Sequence, residues 1–161
     1  MFKVAKMIYF NYGHRLLSGP NTYQLPQSGN WGRPNCHQRK KIKSLDGQHK
    51  CLHLHGHSAR VEIEMASPKL NPKGMVVDFF DIKRTIGEWI EENLDHKMIL
   101  WSKDPLAKLL KKAGEPVVLV KENPTAEMLA RWIFREARRM KLPVSKITLW
   151  ENQDSCAVYK A

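Results

Sequence analysis

The sequence predicts an α+β fold with a mainly antiparallel sheet, and three observations carry that expectation. Ser58 to Ala66 alternates, with Val61, Ile63 and Met65 on one side and Arg60, Glu62 and Glu64 on the other, the period of a half-buried strand. Ile82, Ile86, Ile90 and Leu94 recur at intervals of four, which lines one face of a helix. The order of elements is two strands, helical material, a strand, a helix and two strands. Clustered strands with helices segregated between them argue α+β.

The elements follow in chain order. Lys3 to Phe10 is apolar and partly alternating, and predicts the first strand. Residues 18 to 50 carry Gly, Pro, Asn, Ser and Gln without a sustained period, so they predict a long loop. The alternating strand, Ser58 to Ala66, precedes a turn at Pro68 to Gly74. A helix is expected over Asp81 to Leu94, and a shorter one from Pro105 to Lys112, ended by Gly114. Pro116 to Lys121 is a short, β-branched apolar run and predicts a strand. Thr125 is placed to cap the next helix, with Glu127 favourable in its first turn. That helix buries Leu129, Ile133, Ala137 and Met140, turns Arg131, Arg135 and Arg138 to solvent, and stops at Pro143. Lys146 to Trp150 and Cys156 to Lys160 close the sheet.

With 161 residues the chain fits a single domain spanning residues 1–161. No apolar stretch reaches the roughly 18 residues of a membrane span. The segment Met1 to Lys6 lacks the apolar block of a signal peptide, which points to the cytoplasm. Three cysteines, Cys36, Cys51 and Cys156, form no disulfide framework, which directs attention to thiol and metal chemistry. The formal charge of +11 suits a polyanionic partner: nucleic acid, a membrane surface or a small phosphorylated substrate. Part of the excess is local. Between residues 19 and 50 six bases (Arg33, Arg39, Lys40, Lys41, Lys43, Lys50) face one acid, Asp46, and the simplest reading is a solvated basic insertion.

Chemistry concentrates at His55-Gly56-His57, where a strand begins. Residues i and i+2 of a strand point the same way, so the two imidazoles share a face. His14, just beyond the first strand, can supply a third nitrogen if the first two strands pair as an antiparallel hairpin. Three neutral nitrogens leave a fourth position open, as in a catalytic zinc site; a structural site is closed by four protein ligands. Cys51 lies four residues before His55. It can be an activated thiol, a fourth zinc ligand or a small buried residue. In Asp95-His96 a carboxylate can fix an imidazole's tautomer and the imidazole can relay protons.

The ordered set Phe10-Asn11-Tyr12-Gly13-His14-Arg15-Leu16, Cys51-x-x-x-His55-Gly56-His57, Gly74-Met75-Val76-Val77-Asp78-Phe79, Leu94-Asp95-His96, Asn123-Pro124-Thr125-Ala126-Glu127 and Trp150-Glu151 resembles the 6-pyruvoyl-tetrahydropterin synthase superfamily. The likeness spans nearly the whole chain outside residues 18 to 48. It implies the tunnelling fold, with helices packed on one face of the sheet and subunits joined into an oligomeric barrel. Such subunits usually assemble as hexamers, dimers of trimers, with active sites between them. It further implies Zn2+ held by His14, His55 and His57, Cys51 as catalytic thiol, Asp95 and His96 as proton relay, and Glu151 as anchor of the pterin ring. Thr125 and Glu127 would line the pterin pocket. The implied substrate, 7,8-dihydroneopterin triphosphate, accounts for the basic charge.

Three residues between Cys51 and His55 resemble the 6-carboxy-tetrahydropterin synthase branch of the queuosine (7-deazaguanine) pathway. The implied products are 6-carboxy-5,6,7,8-tetrahydropterin, acetaldehyde and triphosphate. A 6-pyruvoyl-tetrahydropterin synthase is the alternative within the family. Departures from the family pattern are the long segment between His14 and Cys51, Asn152 after Glu151, and Leu100 after the Asp-His pair. From other classes, the rivals are a basic RNA-binding module using residues 33 to 50 and a structural zinc protein closed by Cys51.

Overall fold

The computed structural model describes residues 1–17 and 50–160. All but Lys50 of the basic stretch, and with it the predicted loop, lies outside the described residues. The described strands are β1 (Phe2–His14), β2 (His55–Ser67), β3 (Lys97–Trp101), β4 (Val117–Val120), β5 (Val144–Trp150) and β6 (Cys156–Lys160). They form one sheet in the order β4-β3-β1-β2-β5-β6.

The β1–β2 pair is antiparallel without interruption from Phe2↔Ser67 to His14↔His55. Both strands exceed their predicted bounds, because the partner's hydrogen bonds hold the Asn11-Tyr12-Gly13 run extended. The pairs β2–β5 and β5–β6 are antiparallel too. The expected antiparallel pairing holds on this side of β1 and not on the other, where β3 runs parallel to β1, and β4 parallel to β3. The sheet is therefore mixed. The missed element is β3, which follows a helix with no glycine or proline between them; His96 makes the turn in the left-handed region, at φ 53°.

A continuous helical stretch runs through α1 (Phe79–Ile82), a π-helical turn (Lys83–Gly87) and α2 (Glu88–Asn93). Asp78 caps it by accepting from the Phe80 amide at 2.8 Å. A strict spacing of four drifts about 40° per step on an α-helix of about 3.6 residues per turn. The wider π turn takes up that drift, so Ile82, Ile86, Ile90 and Leu94 all stay buried. The short helix α3 is Leu106–Lys112, and α4 is Ala126–Arg139, capped by Thr125. Chain reversal after α4 occurs at Lys141, also left-handed at φ 63°, two residues before Pro143.

The helices cover one face of the sheet. Trp89 of α2 meets Trp132 of α4 edge to face at 5.2 Å. Beneath them Phe10, Val61, Ile63, Met65, Ile147 and Leu149 complete the core with Leu129 and Ile133. Burying each such side chain contributes about 1.5–3 kcal/mol. Leu100, one of the departures, is wholly buried in β3, so its place is filled by packing.

Candidate active site

The core face of β1 reads Phe10, Tyr12, His14, and that of β2 reads His55, His57, Ala59. The register sets His14 opposite His55 and Tyr12 opposite His57, two residues away from a register that would face His14 with His57. The apolar layer thus ends in three imidazoles. His14 Nε2 lies 3.0 Å from His55 Nε2 and 3.1 Å from His57 Nε2. Among the described residues these are the side chains that could hold a metal ion, their donor atoms all within 4.8 Å of one another.

The outer nitrogens are held as a metal site requires. His14 Nδ1 donates to the Pro124 carbonyl at 2.6 Å, and His55 Nδ1 donates to the His53 carbonyl at 2.8 Å. A carbonyl only accepts, so each ring keeps its proton on Nδ1 and turns a bare Nε2 to the centre. Burial pushes His14 below its ordinary pKa, reinforced by the neighbouring imidazoles and opposed by the Pro124 carbonyl and Glu151. A neutral, buried His14 is the form that ligates. The donor set therefore fits a zinc ion bound by three nitrogens with a position left open.

Close packing shapes the backbone here. A Cβ on Gly13 would lie 2.4 Å from Met98 Sδ, and one on Gly56 would lie 3.3 Å from the Tyr12 carbonyl oxygen. Arg15, the next residue after His14, is buried and forms a two-pronged ion pair with buried Asp104; one prong, from Nε, measures 2.7 Å. Asn123 holds Leu17 by a reciprocal pair of bonds at 2.8 and 2.7 Å. These ties fix the end of β1 against the turn that enters α3 and the loop that enters α4.

Glu151 reaches the same centre from the end of β5. Its Oε1 lies 3.8 Å from His14 Nε2 and accepts from the Tyr12 hydroxyl at 2.6 Å. Burial, then the Glu151 charge, pushes the Tyr12 hydroxyl well above its ordinary pKa, so it stays a donor. Tyr12 is the site residue that the sequence reading missed. Its signal was strand alternation: carried past Phe10, the period places Tyr12 on the face of His14.

Asp95 and His96 form a pair, with Asp95 Oδ2 accepting from His96 Nδ1 at 2.7 Å. The Asn11 amide donates to Asp95 Oδ1 at 2.6 Å, and the His96 amide donates to the Asn11 carbonyl at 2.6 Å. Burial raises the Asp95 pKa, but the bonds from Asn11 and His96 outweigh it and hold the carboxyl below its ordinary value. The exposed His96 ring borders a cleft of about 650 Å³ together with His55 and His57.

The other expected residues lie farther out. Cys51 is half-buried in a short 3₁₀ turn, Lys50–Leu52, tied to the strand end by the Leu16 amide on its carbonyl at 2.8 Å. Its thiol does not join the imidazole cluster, which disfavours a closed Cys-His₃ site. Thr125 adjoins the centre through Pro124, and its hydroxyl accepts from the Met128 amide. Glu127 is exposed in the first turn of α4.

Fold and site together define a class: an α+β protein whose central strands end in a three-imidazole cluster that could hold a metal. The match of a family model for 6-pyruvoyl tetrahydropterin synthase over residues 3–161 shows that the chain belongs to that family. A 6-carboxy-5,6,7,8-tetrahydropterin synthase of Rickettsia bellii is 38% identical over 94% of both chains. One of Aquifex aeolicus is 31% identical over 99% of this chain and 98% of its own. The 6-pyruvoyl tetrahydropterin synthase structure of Caenorhabditis elegans superposes with a TM-score of 0.64 at 17% identity, covering 99% of this chain and 95% of the other. That likeness supports the expected tunnelling fold.

Proposed function

We propose that the protein is a zinc-dependent lyase that converts 7,8-dihydroneopterin triphosphate and water to 6-carboxy-5,6,7,8-tetrahydropterin, acetaldehyde and triphosphate. The observation that carries the reading is the cluster of three imidazole Nε2 atoms, two of them left bare by Nδ1 bonds to carbonyls, with the Glu151 carboxylate 3.8 Å from one of them. Relatives named for this activity, at 31% and 38% identity over nearly the whole chain, support the choice of reaction.

His14, His55 and His57 would hold the metal. The chemistry a zinc ion supplies when bound is Lewis-acid stabilisation of negative charge on the substrate's side-chain oxygens. Glu151, kept in place by Tyr12, accepts from the amide and amine edge of the pterin ring, with Thr125 and Glu127 lining the pocket. Cys51 removes a carbon-bound proton, and His96, oriented by Asp95, returns or relays protons. Placement supports these roles: the Asp95–His96 pair opens on the cleft that His55 and His57 border, and Cys51 is held beside the chain that leaves His14.

The whole chain acts as one domain in this reading, as a homohexamer with sites between subunits, in the cytoplasm and in queuosine biosynthesis. Among the described residues the sheet ends on β4 and β6, and such edges suit strand pairing between subunits. Light scattering should report about six chains; an active monomer would remove the barrel. The functional test is assay of zinc-loaded protein on dihydroneopterin triphosphate. Acetaldehyde release marks the 6-carboxy reaction. Triphosphate release without acetaldehyde would instead select the 6-pyruvoyl alternative.

A further inference from the structure

We propose that Arg60 is an anion-recognition residue of the substrate cleft, taking the condensed phosphate chain; the identity of that ligand rests on the lyase reading above. Arg60 lies on the outer face of β2, opposite Trp150 of β5. Its guanidinium stacks over the indole at 4.8 Å, which fixes the plane of the fork. Nε is buried and has no hydrogen-bond partner among the described residues. The acids that follow on the same face are engaged elsewhere. Lys146 lies 3.4 Å from both Glu62 and Glu64, and Lys3 lies 3.1 Å from Glu64. Leaving such a donor unpaired costs the desolvation of a charged group with no bond in return, and native proteins seldom retain one without a use.

The surroundings say what the use is. Arg60 borders a cleft of about 400 Å³ whose walls include Tyr9, His57, Ser58, Glu151 and Gln153. This one cleft is bordered by a proposed metal ligand, His57, by the carboxylate proposed to anchor the pterin, and by a guanidinium whose Nε is unpaired among the described residues. Those are the three recognition chemistries that a hydroxylated side chain, a pterin edge and a polyanion require. Glu151 repels an anion, so the phosphates belong beside Arg60, where Tyr9, its pair on β1, and Ser58, on the same face of β2, carry neutral hydroxyl donors. A planar guanidinium pairs with phosphate through two parallel hydrogen bonds.

The test is calorimetric titration of the zinc-loaded full chain with inorganic triphosphate and, separately, with dihydroneopterin, which carries no phosphate. Arg60→Met should weaken triphosphate binding at least about tenfold, with zinc content and dihydroneopterin affinity unchanged. Arg60→Lys, which keeps the charge but loses the fork, should fall between. Arg60→Gln stands in if the methionine variant does not fold. Equal triphosphate affinity in wild type and variants, or equal loss of both ligands, would overturn the assignment. Arg60-dependent triphosphate binding by a protein that releases no acetaldehyde would uphold the subsite and remove the lyase reading. Acetaldehyde release with the same KM in wild type and Arg60→Met would remove the subsite and keep the lyase.

Discussion

The strand-borne histidines and the turn-borne cysteine show two ways of holding a reactive group. His14, His55 and His57 sit on paired strands whose register is specified over 13 residues of each. Two of the rings are oriented by carbonyls, and the strand end is braced by the Arg15–Asp104 pair. Cys51 sits in a three-residue turn tied to that frame through its own carbonyl. The difference suits the proposed tasks. A metal needs three donors fixed together, whereas a group that moves a proton gains from a segment that can adjust as substrate arrives.

The largest effect should come from breaking the strand-borne set. The double variant His55→Ala, His57→Ala should lose both zinc and turnover; stoichiometric zinc in the purified variant would contradict the site. Changing the turn-borne group should separate the two functions. Cys51→Ala should keep about one zinc per chain while turnover falls by about 10²–10⁴-fold, the usual scale for a general base. Loss of zinc from that variant would make Cys51 a ligand, and undiminished acetaldehyde release would end its catalytic role.

The brace comes next. Asp104→Ala leaves the Arg15 charge buried, and breaking such a pair typically costs about 3–5 kcal/mol. Urea unfolding should show the lowered midpoint, and zinc affinity should fall with it. A smaller change sharpens the picture of Glu151. Tyr12→Phe removes one hydrogen bond to a carboxylate, so dihydroneopterin affinity should drop about tenfold while zinc content holds.

The smallest expected effect is a pH dependence at Asp95. Its folded pKa is depressed by the Asn11 amide and His96 against the opposing effect of burial. Its contribution is therefore present above the unfolded value of about 3.9 and is lost as pH falls through the lower folded value. Stability measured from pH 5 downward should decline less steeply in Asp95→Asn than in wild type. An identical slope would show that the pair adds nothing to folding.

Much of this architecture could be read from residue order, because its signals are local. Alternation at Ser58 to Ala66, the four-residue spacing of Ile82 to Leu94 and the cap at Thr125 each depend on neighbours within a few positions. The H-x-H pair shares a face because a strand has a period of two, and no distant contact is needed to know it. The strand β3 was different. Met98-Ile99-Leu100 is too short to show a period, and of its parallel partners β1 lies far away in sequence while β4 is reached only across α3.

What the sequence determined by itself was the kind of element at most positions and the chemical identity of the proposed metal donors. Only the tertiary structure decided that His14 pairs with His55, that the sheet is mixed, and that Tyr12 and Glu151 meet beside the histidines. The same holds for Arg60, which reads as the solvent side of an alternating strand until β5 sets Trp150 beneath it and leaves its Nε buried. The physical reason is range. Periodicity records which way each side chain points, while the register between strands far apart in the chain decides what it meets there.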